Sequence, residues 1–68
     1  MDYDAIKRYD LTVTVFYEEH LWNVGVRGKD SDGEDAEIDF EANEDDEPDA
    51  AVKAAVDMFV KQKRPKEI

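Results

Sequence analysis

Residues 21–27, LWNVGVR, alternate between apolar and polar or small side chains. A period of two is typical of a β-strand that buries one of its faces. The flanking segments alternate in the same way, with apolar positions at Leu11, Val13, Val15 and Tyr17 before this stretch and at Ala36, Ile38, Phe40 and Ala42 after it. The sequence therefore predicts three strands, over residues 9–18, 21–27 and 36–42, with the second at the centre of an antiparallel meander.

The connections predict how these strands pair. Residues 18–21 form a tight turn, because Tyr17 and Trp22 flank it and both belong to the apolar face. The second strand is also predicted to pair with the third, with Trp22 opposite Phe40. Between the second and third strands, residues 28–35 read GKDSDGED and are rich in the Gly, Asp and Ser that turns select. This segment is therefore predicted to be a loop.

Residues 48–63 have the pattern of an amphipathic helix. Pro48 suits the first helical position, where the missing N–H is not needed, and Pro65 stops the helix. Apolar residues recur three to four positions apart, at Val52, Ala55, Val56, Phe59 and Val60. We expect this helix to pack on the apolar face of the sheet, which gives an α+β fold of two layers.

The 68 residues are predicted to form a single small domain, 1–68, near the lower size limit for a stable core. Residues 1–8 are a lead-in whose Tyr3 and Ile6 pack at the edge of the domain, and residues 64–68 are a tail. There is no cysteine, so neither disulfides nor thiolate chemistry are available. Because no apolar run approaches the roughly 20 residues of a membrane helix, and the N-terminus lacks a signal-peptide core, we expect a cytoplasmic protein without membrane association.

Acidic residues are concentrated in one segment. Residues 30–49 hold 12 of the 19 acidic side chains and none of the nine basic ones, and the formal net charge of the chain is −10. Such a surface attracts cations and basic proteins and repels nucleic acid and anionic membranes. Direct binding of nucleic acid is therefore not expected.

Within this segment the third predicted strand directs the carboxylates of Glu37, Asp39 and Glu41 away from the helix. Alternate strand residues recur about every 6.6 Å, a spacing roughly like that of successive phosphates on an extended nucleic-acid strand. We expect the surface to occupy a groove rich in Lys and Arg on a nucleic-acid-handling protein. The alternative is a merely solubilising surface, although such surfaces usually mix the two signs of charge. The predicted partner-binding residues are Asp30, Asp32, Glu34, Asp35, Glu37, Asp39, Glu41, Glu44, Asp45, Asp46 and Glu47.

The sequence favours neither catalysis nor a cofactor. His20 is the single histidine, and no serine or cysteine neighbours it, so a nucleophile and base cannot be assembled. The acidic loop offers oxygen ligands for calcium, but its spacing differs from that of an EF-hand. With Gly33 at the sixth position, the first falls on Gly28 and the twelfth on Asp39. We therefore expect a non-enzymatic protein without a specific metal site.

The edge of the first strand is a second candidate surface. Thr12, Thr14 and Phe16 point away from the helix, and few charges accompany them. A strand edge of this kind is open to pairing with another strand. The alternative function is thus a homo-oligomeric or accessory interaction module, in which two first strands form a homodimer with a continuous six-stranded sheet.

In size, charge and plan, with the acidic segment at residues 30–49, the chain resembles the compact acidic inhibitors that phages encode against host nucleic-acid enzymes, including anti-CRISPR and other DNA-mimic proteins. The resemblance implies an inhibitor that binds a basic nucleic-acid site by steric and electrostatic contacts. The strands and helix also resemble the N-terminal part of HicB-type antitoxins, but the Pro-Gly-Cys stretch of that family is absent. A double-stranded-RNA-binding domain has a related order of elements, but it needs a full first helix and basic residues, and this chain departs from that pattern on both counts.

Overall fold

The computed structural model describes residues 4–67. Its three strands form one antiparallel sheet in the order β1-β2-β3, and the C-terminal helix packs against one face. This is the α+β meander that the sequence predicts. The elements in chain order are α1 (Asp4–Arg8), β1 (Thr12–Glu18), β2 (Leu21–Lys29), β3 (Asp35–Asn43) and α2 (Pro48–Lys63).

The strands β1 and β2 pair in the predicted register, with Tyr17 opposite Trp22. The turn between them consists of two residues, Glu19 and His20, whose φ angles are 54° and 64°. Positive φ at both positions is the requirement of a type I′ turn, whose twist matches that of the flanking strands. The hairpin is therefore tight although neither turn residue is the Asn or Gly that usually occupies these positions.

The first strand is shorter at its start than predicted. The lead-in forms the short helix α1, and Asp10, with φ 54°, turns the chain before Leu11 enters the core. Thr12, rather than Tyr9, is therefore the first residue of β1. Ile6 packs against the core as expected, whereas the expected contact of Tyr3 lies outside the described residues.

The strands β2 and β3 pair two positions away from the predicted register. Trp22 lies opposite Ala42 rather than Phe40, and Phe40 lies opposite Val24. A shift of two residues keeps every side chain on its own face of the sheet, so the alternation of apolar residues could not reveal it. The observed register extends the paired strands to Lys29 and Asp35, and this longer ladder shortens the connection to residues 30–34.

The side chain of Asp30 organises this connection. Its Oδ1 accepts the backbone N–H groups of Asp32 at 2.8 Å and of Glu34 at 3.0 Å. Gly33 adopts φ 83°, which glycine tolerates without strain. The N–H of Ser31 donates to the carbonyl of Lys63 at 3.0 Å, so the turn also caps the C-terminus of α2.

The helix α2 begins at Pro48 and ends at Lys63, as predicted. Arg64 closes it with φ 48° and an N–H bond to the Val60 carbonyl at 3.0 Å, a left-handed end of the type that helices commonly adopt. The apolar stripe of the helix meets the inner face of the sheet. The buried core consists of Leu11, Val24, Val26, Ala42, Ala51, Val52, Ala55, Val56 and Phe59.

The helix lies mainly over β2 and β3 and touches β1 less. On the helix side of β1, Val15 and Tyr17 consequently remain 41% and 49% exposed, and Phe16 on the opposite face is 53% exposed. The second half of β1 therefore shows apolar side chains on both of its faces.

Candidate acidic interaction surface

The third strand places its predicted carboxylates on one open face of the sheet. Glu37, Asp39 and Glu41 alternate with Ile38 and Phe40, which pack toward the core on the helix side. The three acidic residues are all exposed, and we call them the carboxylate row. The alternation of β3 thus produces the expected arrangement despite the change in strand register.

Two bases from β2 neutralise the first half of this surface. The Nε–H of Arg27 donates to Glu37 Oε2 at 2.9 Å, and the ammonium of Lys29 donates to Asp35. The hydrogen bond and charge of Lys29 hold the pKa of the Asp35 carboxyl below its usual value, and Asp35 raises the pKa of Lys29 in turn. The acidic segment itself holds no base, but the β2–β3 register sets two bases of β2 beside it, so Asp35 and Glu37 are compensated.

The second half of the carboxylate row has no such compensation. Asp39 lies opposite Gly25, and Glu41 lies opposite Asn23. Within residues 4–67, neither carboxylate takes part in an ion pair. The chain continues from Glu41 through the exposed turn before α2, where the acidic residues 44–47 follow. Unneutralised negative charge is therefore concentrated at this end of β3.

Glu44 has a specific intramolecular role. The hydroxyl of Tyr17 donates to Glu44 Oε2 at 2.8 Å, and Nδ1 of His20 lies 3.1 Å from the same oxygen. The hydrogen bond to Glu44 raises the pKa of Tyr17. The ring of Tyr17 also contacts that of Trp22, with centroids 5.1 Å apart and planes tilted by 58°. His20, which lies within the predicted turn at residues 18–21, is exposed and joins this cluster, and no spacing in the sequence indicates that contact.

The predicted partner-binding residues thus fall into groups with different roles. Asp30 and Glu44 are engaged in intramolecular hydrogen bonds, and Asp35 and Glu37 are paired with bases. Asp32 and Glu34 lie in the turn at the far end of the sheet. At the other end of β3 and in the turn after it, the predicted residues without ion pairs in the described part of the chain are Asp39, Glu41, Asp45, Asp46 and Glu47.

The remaining surface offers shallow depressions. An open depression of about 610 Å³ lies at one end of the sheet, where Tyr9, Arg27, Lys29 and Lys66 are among its lining residues. A smaller one lies over Gly25 on the open face. Among the described residues, no three His, Cys, Asp or Glu side chains are grouped so as to hold a metal ion.

Over residues 4–67, no helical segment has the length and apolar character needed to cross a bilayer. No protein-family model, curated protein or solved structure matches this chain.

Proposed function

We propose that this protein is a non-enzymatic inhibitor that occupies the basic nucleic-acid site of a partner protein. The observation that supports the proposal is that the carboxylates at the end of β3 and in the following turn, Glu44 excepted, have no ion-pair partner within residues 4–67. Asp39 and Glu41 find no base in the described structure, although Arg27 and Lys29 stand on the neighbouring strand and neutralise other acids. Within β3, the carboxylates without an ion-pair partner in the described structure are therefore those of its second half.

The geometry of the strand suits a phosphate mimic. Asp39 and Glu41 project from the same face of a paired strand, about 6.6 Å apart. Because the sheet already fixes the backbone of both residues, binding does not require a further loss of backbone entropy there. The acids of the turn, residues 45–47, extend the charge beyond the strand. A groove lined with Lys and Arg that accepts successive phosphates would meet carboxylates at a similar interval.

On this proposal the inhibition is competitive, because the protein and the nucleic acid bind to the same basic groove of the partner. Complementary charge accelerates the encounter, and the attraction weakens as salt rises, since exposed charges are screened over about 8 Å at physiological ionic strength. The protein itself repels nucleic acid. On this proposal the protein acts in the cytoplasm, together with the nucleic-acid-handling partner.

Affinity capture from the source or host lysate, at low salt, tests the proposal. The expected result is a nucleic-acid-handling protein that excess competitor DNA displaces. Capture that is indifferent to DNA, or capture of no nucleic-acid-handling protein, contradicts the proposal.

A pair of charge-matched variants then tests the surface. The double variant Asp39→Lys/Glu41→Lys should lose at least about tenfold in affinity for the captured protein, because like charges would face each other. The control Asp57→Lys/Glu67→Lys changes the net charge equally at exposed positions outside the acidic segment and should lose much less. Equal losses by both variants would show that net charge alone, rather than the end of β3, determines binding. Circular dichroism verifies that both remain folded.

A further inference from the structure

The outer edge of β1 lacks the features that keep strand edges apart. Residues 11–17, LTVTVFY, hold no charged side chain, and Val15, Phe16 and Tyr17 are each about half exposed. The opposite edge of the sheet, β3, carries an acid at every second residue from Asp35 to Glu41. Charged side chains on an edge strand oppose pairing with another strand, and β1 has no such protection between its first residue and Tyr17.

The turn geometry determines which groups face this free edge. The turn between Glu18 and Leu21 has two residues. In such a hairpin the residues that flank the turn, here Glu18 and Leu21, form the hydrogen-bonded pair that closes it. Hydrogen bonding alternates along a strand, so the even-numbered residues of β1 direct their N–H and C=O groups toward β2. The odd-numbered residues Val13, Val15 and Tyr17 therefore direct their N–H and C=O groups toward the outer edge, with which no strand of residues 4–67 pairs.

We propose that two copies of this chain pair antiparallel through β1, with Val15 of one copy opposite Val15 of the other. The two-fold axis is perpendicular to the sheet, so the inner faces and both α2 helices lie on the same side. Val13 then lies opposite Tyr17 of the second copy, and each of these odd-numbered pairs exchanges hydrogen bonds. On the open face, Phe16 meets Thr14 of the second copy. The proposal is independent of the inhibitory function.

The length of β1 favours this register over its neighbours. Val15 is the midpoint of Thr12–Glu18, so all seven residues of both strands overlap. A shift of two residues in one direction sets Glu18 against Asp10 of the second copy, where like charges repel. A shift in the other direction shortens the overlap and sets Glu18 against Thr14. Both shifts therefore lose pairing that the symmetric register retains.

The charge distribution favours a second copy as the occupant of this edge. In the proposed register Glu18 lies opposite Thr12 of the second copy, and Thr12 lies beside Arg27 of its own sheet. Glu18 therefore has no acid of the second copy directly opposite it, and the nearest base on that face, Arg27, is already paired with Glu37 on β3. The two β3 strands stand at the outer edges of the six-stranded sheet, five strand spacings or about 24 Å apart. That distance is several screening lengths at physiological salt, so two chains of net charge −10 meet where their repulsion is weakest.

Cysteine substitutions test the register directly, since the chain has no cysteine of its own. The Cα atoms of a hydrogen-bonded antiparallel pair are about 5.5 Å apart, within the range that a disulfide spans. Val15→Cys should therefore form a disulfide-linked dimer under mild oxidation. The Thr14→Cys control should not, because the two copies of residue 14 are diagonal neighbours at about 8 Å.

A mixture provides the second register test. Val13→Cys and Tyr17→Cys proteins should cross-link to each other when mixed, while each should stay largely uncross-linked by itself. If Thr14→Cys cross-links as readily as Val15→Cys, or if the mixture yields no cross-linked species, the proposed pairing is wrong.

Sedimentation equilibrium on the unmodified protein gives an independent test. The mass should rise from monomer toward dimer with concentration, and added salt should favour the dimer because it screens the repulsion between two acidic chains. A monomer mass at all concentrations and salt conditions would overturn the proposal, whether or not β1 pairs with a strand of another protein.

Two variants with the same change in net charge complete the test. Val15→Lys places a charge at the centre of the edge and should remain monomeric. Glu41→Gln lies on the opposite edge and should dimerise at least as well as the parent protein. A Val15→Lys protein that still dimerises contradicts the proposal. Should Val15→Lys fail to fold, Phe16→Glu, at a residue that is 53% exposed, serves in its place and is also expected to be monomeric.

Discussion

Arg27 on β2 donates its Nε–H to Glu37 on β3 across a distance of 2.9 Å. The two residues are direct neighbours in adjacent strands, where opposite charges stabilise a pair. Arg27 belongs to the part of the chain outside the acidic segment, but the sheet brings it to the first member of the carboxylate row. Negative charge is therefore stronger around Asp39 and Glu41 than around Glu37.

Removal of this base should strengthen binding to polycations beyond the effect of net charge. We expect Arg27→Gln to require more salt for release from immobilised polylysine than Lys53→Gln, although both variants lose one positive charge. The physical reason is that Arg27→Gln frees Glu37 and extends the carboxylate row, whereas Lys53 lies exposed on α2. The measurement is the salt concentration at half elution for the two variants. Equal values would mean that the row does not act as a unit.

A side chain at position 28 should destabilise the protein, because Gly28 lies against the core. A Cβ at this position would lie 2.6 Å from Cδ2 of Leu11 and 3.4 Å from Cζ of Phe59, both of which are buried. We expect Gly28→Ala to lower the free energy of unfolding by about 1 to 3 kcal/mol, the usual cost of overpacking. Urea denaturation measures it.

Gly25→Ala is the matched control for Gly28→Ala on the same strand. There the added Cβ would meet Thr14 Oγ1 at 2.9 Å, but that hydroxyl belongs to a side chain on the open face that can rotate away. A smaller loss than for Gly28→Ala is expected. A loss as large or larger would show that the packing of Leu11 and Phe59 is not the cause.

The β1–β2 turn should be improvable by a residue that prefers positive φ. Glu19 adopts φ 54°, a conformation that costs an ordinary residue roughly 1 kcal/mol and that asparagine accepts more readily. Glu19→Asn should raise the free energy of unfolding by about 0.5 to 1 kcal/mol in thermal or urea denaturation. Glu18→Asn, in the extended strand beside it, should give no gain, because asparagine is disfavoured in strands. A gain from both variants would indicate an effect of charge rather than of turn conformation.

The Tyr17–Glu44 contact should make stability depend on pH in the alkaline range. Its hydrogen bond to Glu44 raises the pKa of Tyr17, so the contact stabilises the neutral phenol. This contribution is fully present below the unfolded-state pKa of about 10 and is lost as the pH rises through the higher folded-state pKa. Glu44→Gln should lower the pKa of Tyr17, as followed by NMR of the ring, and should flatten the alkaline dependence of stability. Glu47→Gln, which removes the same charge nearby, should leave the pKa of Tyr17 closer to the parent value, and equal effects of the two substitutions would contradict a specific contact.

The order and type of the elements were predictable because each has a local cause. Alternation along residues 21–27 and in the segments around them indicates strands, and Pro48 with the apolar stripe after it indicates the helix. The positions of Tyr17 and Trp22 also predicted the first hairpin, since a two-residue turn leaves little freedom of register. The predicted register of the second hairpin differs from the observed one by two residues. Alternation has a period of two and therefore cannot distinguish registers that differ by two residues.

The amino-acid sequence by itself determined the elements, the side of each strand that faces the helix, and the concentration of acids in residues 30–49. Tertiary structure decided which of those acids are compensated. Arg27 and Lys29 neutralise Glu37 and Asp35 only because the β2–β3 register sets them opposite each other, and residue spacing carries no information on that pairing. Tertiary structure also left part of β1 uncovered, because a single helix is too narrow to cover three strands equally.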